Sequence, residues 1–342
     1  MPGSTTRSVD RVDGAERIAV FRALPGLGDM LCAIPALESL RARFPDARVT
    51  LVGMARHDWV RAHLPGLVDD YVGVPPMAGL HPDPGPALDV LSALSEVAEG
   101  DPDLLLQMHG DGSRSNAYAR LMGDGRLVAP RAPGAVEPDI EARLRSPHEV
   151  GRCLDVVGAV GAAPVAPAPR LPVADADREV ARSLVGLGPR PYVVVAPGAS
   201  QDDRRWSVDG FARVVDEIAC HGVPVVLVGT DADRATCSVL AGRCATSPLD
   251  LSGRTDVGVL AAVIDEASLC VCNDSGPSHL SIAVATPSVV VWSGSDLRRW
   301  APTDRRRHVV VGEEGGPATP EDVVARVVEQ IDRLVPTAGR RT

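Results

Sequence analysis

The chain has 342 residues, which at about 100 to 200 residues per domain is enough for two domains. Hydrophobic residues make up 45% and charged residues 23%, a composition that excludes disordered, collagen-like and coiled-coil chains. The formal net charge of -10 argues against broad contact with a nucleic-acid backbone, which needs clustered cations, but leaves a nucleotide open as a small ligand.

In chain order, apolar runs bounded by Gly and Pro alternate with helical patterns, the signature of β-α-β units and parallel sheets. A strand is predicted over Ile18 to Leu24. A helical stretch follows, with Leu31, Ile34, Leu37, Leu40 and Phe44 on one face and Pro35 either in its first turn or kinking it. A strand at Arg48 to Val52, a helix near Leu88 to Ala98, a strand near Asp103 to Met108 and a helix near His148 to Val160 complete the first series.

The Pro/Ala-rich stretch around Pro164, Pro167 and Pro169 favours a semi-rigid extended chain, and the domain boundary is placed there. The second series predicts a helix at Ala174 to Leu184, strand Tyr192 to Ala196, helix Val208 to His221, strand Pro224 to Val228 and helix Asp231 to Arg243. It continues with helix Val257 to Glu266, strand Ser268 to Cys272, helix Pro277 to Val284, strand Ser288 to Trp292 and a last amphipathic helix from Pro320. The expected organisation is a flexible tail over 1–17, a Rossmann-like domain over 18–162, a linker over 163–172, a second Rossmann-like domain over 173–319, a helix over 320–335 and a tail over 336–342.

No run of about 18 apolar residues occurs and the N-terminus is polar, so no transmembrane segment or signal peptide is predicted and a cytoplasmic location is expected. The basic residues are all arginine, which fits codon usage in a GC-rich genome. The cysteines are scattered without paired CxxC spacing. Cys270 and Cys272 alternate within an apolar run and are read as buried strand positions, not metal ligands.

Ligands of parallel sheets gather beyond the carboxyl ends of the strands, and four clusters stand there. Pro25-Gly26-Leu27-Gly28-Asp29 follows the first strand. It is not a dinucleotide fingerprint, because Leu31 occupies the third glycine position and no acidic residue ends the second strand, so a nicotinamide or flavin is disfavoured. Asp29 is either a first-turn helix cap or a general base. The stretch from Pro197 through Gly198, Ala199 and Ser200 to Arg204, Arg205 and Trp206 offers a hydroxyl and two cations for a diphosphate, or solvated loop arginines. Asn273-Asp274-Ser275-Gly276-Pro277-Ser278-His279 places a helix N-terminus and an imidazole at one turn. Asp231 follows another strand and can accept from two ribose hydroxyls. Asp231-Ala232-Asp233 also spells DxD, but no metal is expected from three letters.

In order and spacing, Gly28-Asp29, Ile34-Pro35-Ala36-Leu37, Pro197-Gly198-Ala199-Ser200 with Arg204-Arg205-Trp206, Leu251-Ser252-Gly253, and Asn273 to Leu280 resemble the family 9 glycosyltransferases, the heptosyltransferase family, over nearly the whole folded length. The resemblance implies the GT-B architecture, two Rossmann-like parallel-sheet domains facing a central cleft. The C-terminal domain would take the nucleotide-sugar, the N-terminal one the acceptor, and the last helix would cross back. It implies an inverting, metal-independent transfer of a sugar, typically heptose from ADP-heptose, to a hydroxyl of a glycan or natural-product acceptor, with no cofactor beyond the donor. By position, Asp29 would be the base, and Ser200, Arg204, Ser275, Gly276 and His279 would bind the diphosphate. Asp231, Arg254 and Thr255 would bind ribose and base, with Gly28, Arg205 and Asp274 also in the cleft. Arg204 stands where the family often has lysine, Ser275 where it often has threonine, and Ala199 lacks a hydroxyl that some members carry. The N-terminal half mixes Arg56, His57, Arg61, His63, His109, Arg114 and Arg120 with Asp58, Asp111 and Asp124, which leaves the acceptor open; peripheral membrane contact is compatible with either. The alternatives are a nucleotide-sugar epimerase or hydrolase of the same fold and an inactive nucleotide-binding module.

Overall fold

The computed structural model describes residues 12, 14–312 and 317–334. By their contacts these form two compact units, one from the described residues up to 25 and over 33–167, the other from 26–32 and the described residues from 168 onward. The expected tails over 1–17 and 336–342 lie mostly outside the described residues. Glu16 and Arg17 are described and are fixed, because both backbone amides donate to the Asp103 carboxylate, at 2.9 and 2.8 Å.

The chain runs in order through β1 (Arg17–Arg22), α1 (Leu27–Leu31), α2 (Ile34–Arg43), β2 (Arg48–Met54), α3 (Trp59–His63), β3 (Asp70–Val74), α4 (Ala87–Glu99), β4 (Leu104–Gln107), α5 (Ser115–Arg120), β5 (Arg126–Ala129), β6 (Ile140–Glu141) and α6 (Glu149–Gly158). The six strands form one parallel sheet in the order β3-β2-β1-β4-β5-β6. α4, α5 and the turn after α5 bury Val90, Leu94, Val97, Ala119 and Met122 against one face of it, while α2 and α6 pack on each other. The single helix predicted through Leu31 and Phe44 is two. α1 ends at Leu31 and Pro35 sits in the first turn of α2, where its missing N–H costs no hydrogen bond.

At the carboxyl end of this sheet Arg22 is buried and ion-paired at 2.7 Å with Glu149, the first residue of α6 and also buried. Arg152 approaches the other Glu149 oxygen at 3.5 Å. His57 is buried nearby, and His81 bridges the Met77 amide and the Ala23 carbonyl, each at 2.8 Å.

The second unit contains α7 (Asp175–Val185), β7 (Val193–Ala196), α8 (Val208–Cys220), β8 (Val225–Leu227), α9 (Arg234–Arg243), β9 (Leu249–Asp250), α10 (Val257–Asp265), β10 (Leu269–Asn273), α11 (Gly276–Ala283), β11 (Ser288–Val291), α12 (Leu297–Trp300), β12 (His308–Val311) and α13 (Pro320–Leu334). Its parallel sheet has the order β12-β11-β10-β7-β8-β9. In both units the strand order, read from the far edge, is 3-2-1-4-5-6, the doubly wound Rossmann order. α8, α9 and α13 bury Phe211, Ile218, Leu240, Val323 and Val327 against one face. α10 packs on α7 and on α11, and α1 packs on α11. α13 packs on α8 and on β10, β11 and β12. Cys270 and Cys272 are buried in β10, as the alternation predicts.

Two buried histidines give the fold an acid limit. Burial, with the charges of Arg56 and Arg22, lowers His57 to about 4. Burial likewise lowers His308, whose Nδ1 lies 2.9 Å from the Ser288 hydroxyl, to about 4. Both are neutral in the fold, whereas an unfolded histidine takes up its proton near pH 6.5. Stability contributed by the neutral rings is complete above about pH 6.5 and is lost as pH falls toward 4, at roughly 1.4 kcal/mol per pH unit for each ring. Urea unfolding at pH 7 and pH 5 checks this: His308→Asn is expected to lose less stability over that interval than the parent.

Candidate active site

In the second unit β7 and β10 are neighbours and the chain order runs away from them on both sides, so the switch point opens between the loops that follow these two strands. The loop after β7 runs from Pro197 to Trp206, and the loop after β10 leads from Asn273 through Asp274 and Ser275 into α11. The predicted diphosphate residues therefore lie on adjacent strand ends. Gly198 is required there by close approach, because a Cβ on it would come within 3.0 Å of the Asp233 carboxylate.

Arg204 ends a short 3-10 turn, and its guanidinium reaches 4.0 Å from Asp274, which is 2% exposed. Asp274 also accepts from the Ser295 hydroxyl, on the loop after β11. The Arg204 Nε is buried with no hydrogen-bond partner. Ser200 is exposed at the loop tip. Arg205 points back into its own loop, with its Nε donating to the Ala199 carbonyl at 2.9 Å, so it is a loop brace in this structure and the cation that faces Asp274 is Arg204.

Pro277 is the second residue of α11, where the sequence placed it first, and it has no N–H to offer. The Ser278 amide donates to the Ser275 carbonyl at 3.0 Å. The α11 terminus thus presents fewer amides than its sequence suggests, which shifts the burden of holding an anion onto side chains. His279 is one of these. It is 8% exposed, its ring is edge-on to Trp300 at 6.2 Å, and its Nδ1 is 3.8 Å from the Cys32 sulfur.

The segment from Gly26 to Cys32 lies directly against His279. The sequence places it with the first domain, but its contacts assign it to the second unit, where α1 packs on α11. Gly28 makes this possible, since a Cβ there would come closer than 3.0 Å to the His279 ring. Leu27 similarly packs over Gly276. Asp29 follows at once, half-buried, and its Oδ2 accepts from the Gly26 amide at 2.8 Å. The cap reading of Asp29 is therefore realised, and the same cap holds the carboxylate in place beside α11.

Asp231 is exposed and paired with the Arg234 Nε at 2.7 Å, and Arg234 also donates to the Gly253 carbonyl at 2.8 Å. Arg254 is exposed and Thr255 half-buried on the turn after β9, which the Gly253 amide ties to Gly229 at 2.8 Å. Asp231, Arg254 and Thr255 are thus brought to one edge of the strand ends. Asp233, the other acid of DxD, turns inward and accepts from the Thr230 hydroxyl and amide at 2.7 and 2.9 Å. The two carboxylates diverge, and among the described residues no group of three or more His, Cys, Asp or Glu side chains is placed to hold a metal.

Two contributors had only weak signals in the sequence. Ser295 sits in an ordinary Ser-Gly-Ser-Asp loop, and Trp300, beside His279, follows two arginines that suggest a solvated turn. Among the described residues no helix is long and apolar enough to cross a membrane.

The model of glycosyltransferase family 9 (heptosyltransferase) matches residues 138–324. Over 289 residues the chain is 27% identical to lipopolysaccharide heptosyltransferase 3 of Escherichia coli strain K12, covering 80% of this chain and 82% of that one. The structure resembles that of the glycosyl transferase family 9 from Veillonella parvula DSM 2008, with a TM-score of 0.76 at 21% identity over 93% of this chain and 97% of the other. It also resembles E. coli heptosyltransferase WaaC with ADP, with a TM-score of 0.72 at 17% identity over 92% and 99%. These two likenesses show the fold, two Rossmann-like units of the GT-B class. With a family model that spans more than half of the chain, the chain belongs to glycosyltransferase family 9, the heptosyltransferase family, and is a glycosyltransferase.

Proposed function

We propose that the protein is an inverting glycosyltransferase that transfers heptose from ADP-heptose to an acceptor hydroxyl without a metal ion. The observation that carries this reading is the seating of α1, with Asp29, on the helix that bears Ser275, Gly276 and His279, across the strand ends from Arg204. A carboxylate and an anion site on one unit are what an inverting displacement of a nucleoside diphosphate needs. Asp29 removes the acceptor proton as the hydroxyl attacks the anomeric carbon on the face opposite the leaving group. Arg204, His279, Ser200 and the α11 terminus at Ser275 and Gly276 hold the diphosphate and take up its developing charge, the work a metal ion does in other transferases. Asp231, with Arg254 and Thr255, holds the ribose and base. The ADP moiety and the heptose are supported by relatives named as heptosyltransferases and by the neighbour solved with ADP. The acceptor is a glycan or natural-product hydroxyl. The names of the curated relatives make a lipopolysaccharide core oligosaccharide the first acceptor to assay.

Calorimetric titration with ADP, UDP, GDP and dTDP tests the donor. ADP is expected to bind at least about tenfold more tightly than the others, a difference of about 1.4 kcal/mol, and both Arg204→Ala and His279→Ala are expected to weaken it. Preference for another nucleotide would discard ADP-heptose, and absence of any binding would leave an inactive module.

A further inference from the structure

We propose that Asn273, the last residue of β10, is a positioning residue for the donor diphosphate, acting through the loop that carries Ser200 and Arg204. This rests on reading that loop as the diphosphate site. Asn273 is fully buried at the switch point. Its Nδ2 donates to the Pro197 carbonyl at 2.8 Å, where the loop leaves β7, and its Oδ1 accepts from the Trp206 amide at 3.1 Å, where the loop re-enters regular structure ahead of α8. One side chain therefore closes both ends of the loop. The two partners also fix the orientation of the amide, since a carbonyl can only accept and a backbone N–H can only donate. No other side chain of this length offers a donor and an acceptor in that arrangement. Aspartate keeps the acceptor but opposes a carboxylate to the Pro197 carbonyl, and leucine or serine loses at least one of the two bonds.

The rest of the loop depends on this closure. Trp206 is anchored on its far side by its indole N–H, which donates to the Ala318 carbonyl at 2.9 Å, and by edge-on packing against Phe211. Within the loop the 3-10 turn, the Arg205 brace to Ala199 and an Arg205–Asp202 ion pair at 3.6 Å add internal bonds. Arg204 stands on that turn, with its guanidinium at the limit of ion-pair distance from Asp274. Where Arg204 stands is therefore set by the distance between the two ends of the loop, and Asn273 sets that distance. A misplacement of about 1 Å in a group that must meet a phosphate has a large effect on binding and rate.

The test compares ADP with AMP, because the ratio of their Kd values isolates the contribution of the second phosphate. Titrations are made on the parent, Asn273→Ser, Arg204→Ala and the double variant, with urea unfolding midpoints measured on each. Asn273→Ser is expected to reduce the preference for ADP over AMP at least about tenfold and to have no further effect in the Arg204→Ala background, the non-additivity of two residues that act through one contact. Asn273→Asp, which retains the shape of the side chain and the Trp206 bond, serves where the serine variant does not fold and is expected to lose preference in the same direction. A lowered unfolding midpoint with an unchanged ADP/AMP ratio would overturn the proposal, leaving Asn273 merely structural. Additive losses in the double variant would overturn the route through Arg204. If Arg204→Ala itself leaves the ratio unchanged, the loop is not the diphosphate site, and the underlying reading fails together with this one.

Discussion

Asp29→Asn is expected to lower turnover by about 10²- to 10⁴-fold, the range that a positioned general base contributes, while ADP affinity and the unfolding midpoint stay near those of the parent. The substitution separates the two roles of this side chain. The Gly26 amide donates to one Asp29 oxygen at 2.8 Å, and an asparagine carbonyl accepts the same bond, so the α1 terminus stays capped. Asparagine cannot take a proton at neutral pH, so only the chemistry is removed. Single-turnover assay with ADP-heptose and an accepting glycan, beside calorimetric ADP binding, reads the two effects apart. Retained turnover would move the base to another residue. Lost ADP binding would mean that Asp29 belongs to the donor site and does not act as the base.

Gly28→Ala is the second large effect, and it arises from packing. The added methyl meets the His279 ring closer than 3.0 Å, and the ring cannot retreat freely because Trp300 and Cys32 lie beside it. Overpacking of this kind costs about 1–3 kcal/mol and forces a backbone shift. The shift falls on α1 and so displaces Asp29, and turnover is expected to drop more than tenfold beyond any loss of folded protein. Adding His279→Ala removes the clash. The double variant is expected to regain the unfolding midpoint of His279→Ala alone but not the activity, because His279 is then missing from the diphosphate site. Independent, additive losses of stability would show that the two residues do not meet in solution.

Much of the fold is legible in the sequence because its determinants are local. Strands such as Val193–Ala196 and β10 up to Cys272 are continuous apolar runs, as strands buried on both faces must be, and the amphipathic periods of α8 and α13 mark their buried sides. Strands with weaker patterns were not legible. β3 carries a glycine and a half-exposed face, β9 has only two residues, and β12 follows three consecutive arginines that read as a solvated loop. These strands are held by pairing with a neighbour, and no periodicity within the segment records that.

The sequence by itself determined the α/β class, the loops at the strand ends and the residue types gathered there, since turn chemistry and hydrophobic period act over a few residues. Only the tertiary structure decided how those residues are arranged. It brought Gly28 against His279 across most of the chain's length, and turned Asp233 inward while pairing Asp231 with Arg234. It also made Arg205 a brace and left Arg204 facing Asp274, and it closed the ends of the loop that carries both on Asn273. Each of these outcomes depends on which strand lies beside which and how closely two helices pack, and the physical reason they escape the sequence is that such contacts are chosen by the energy of the whole fold.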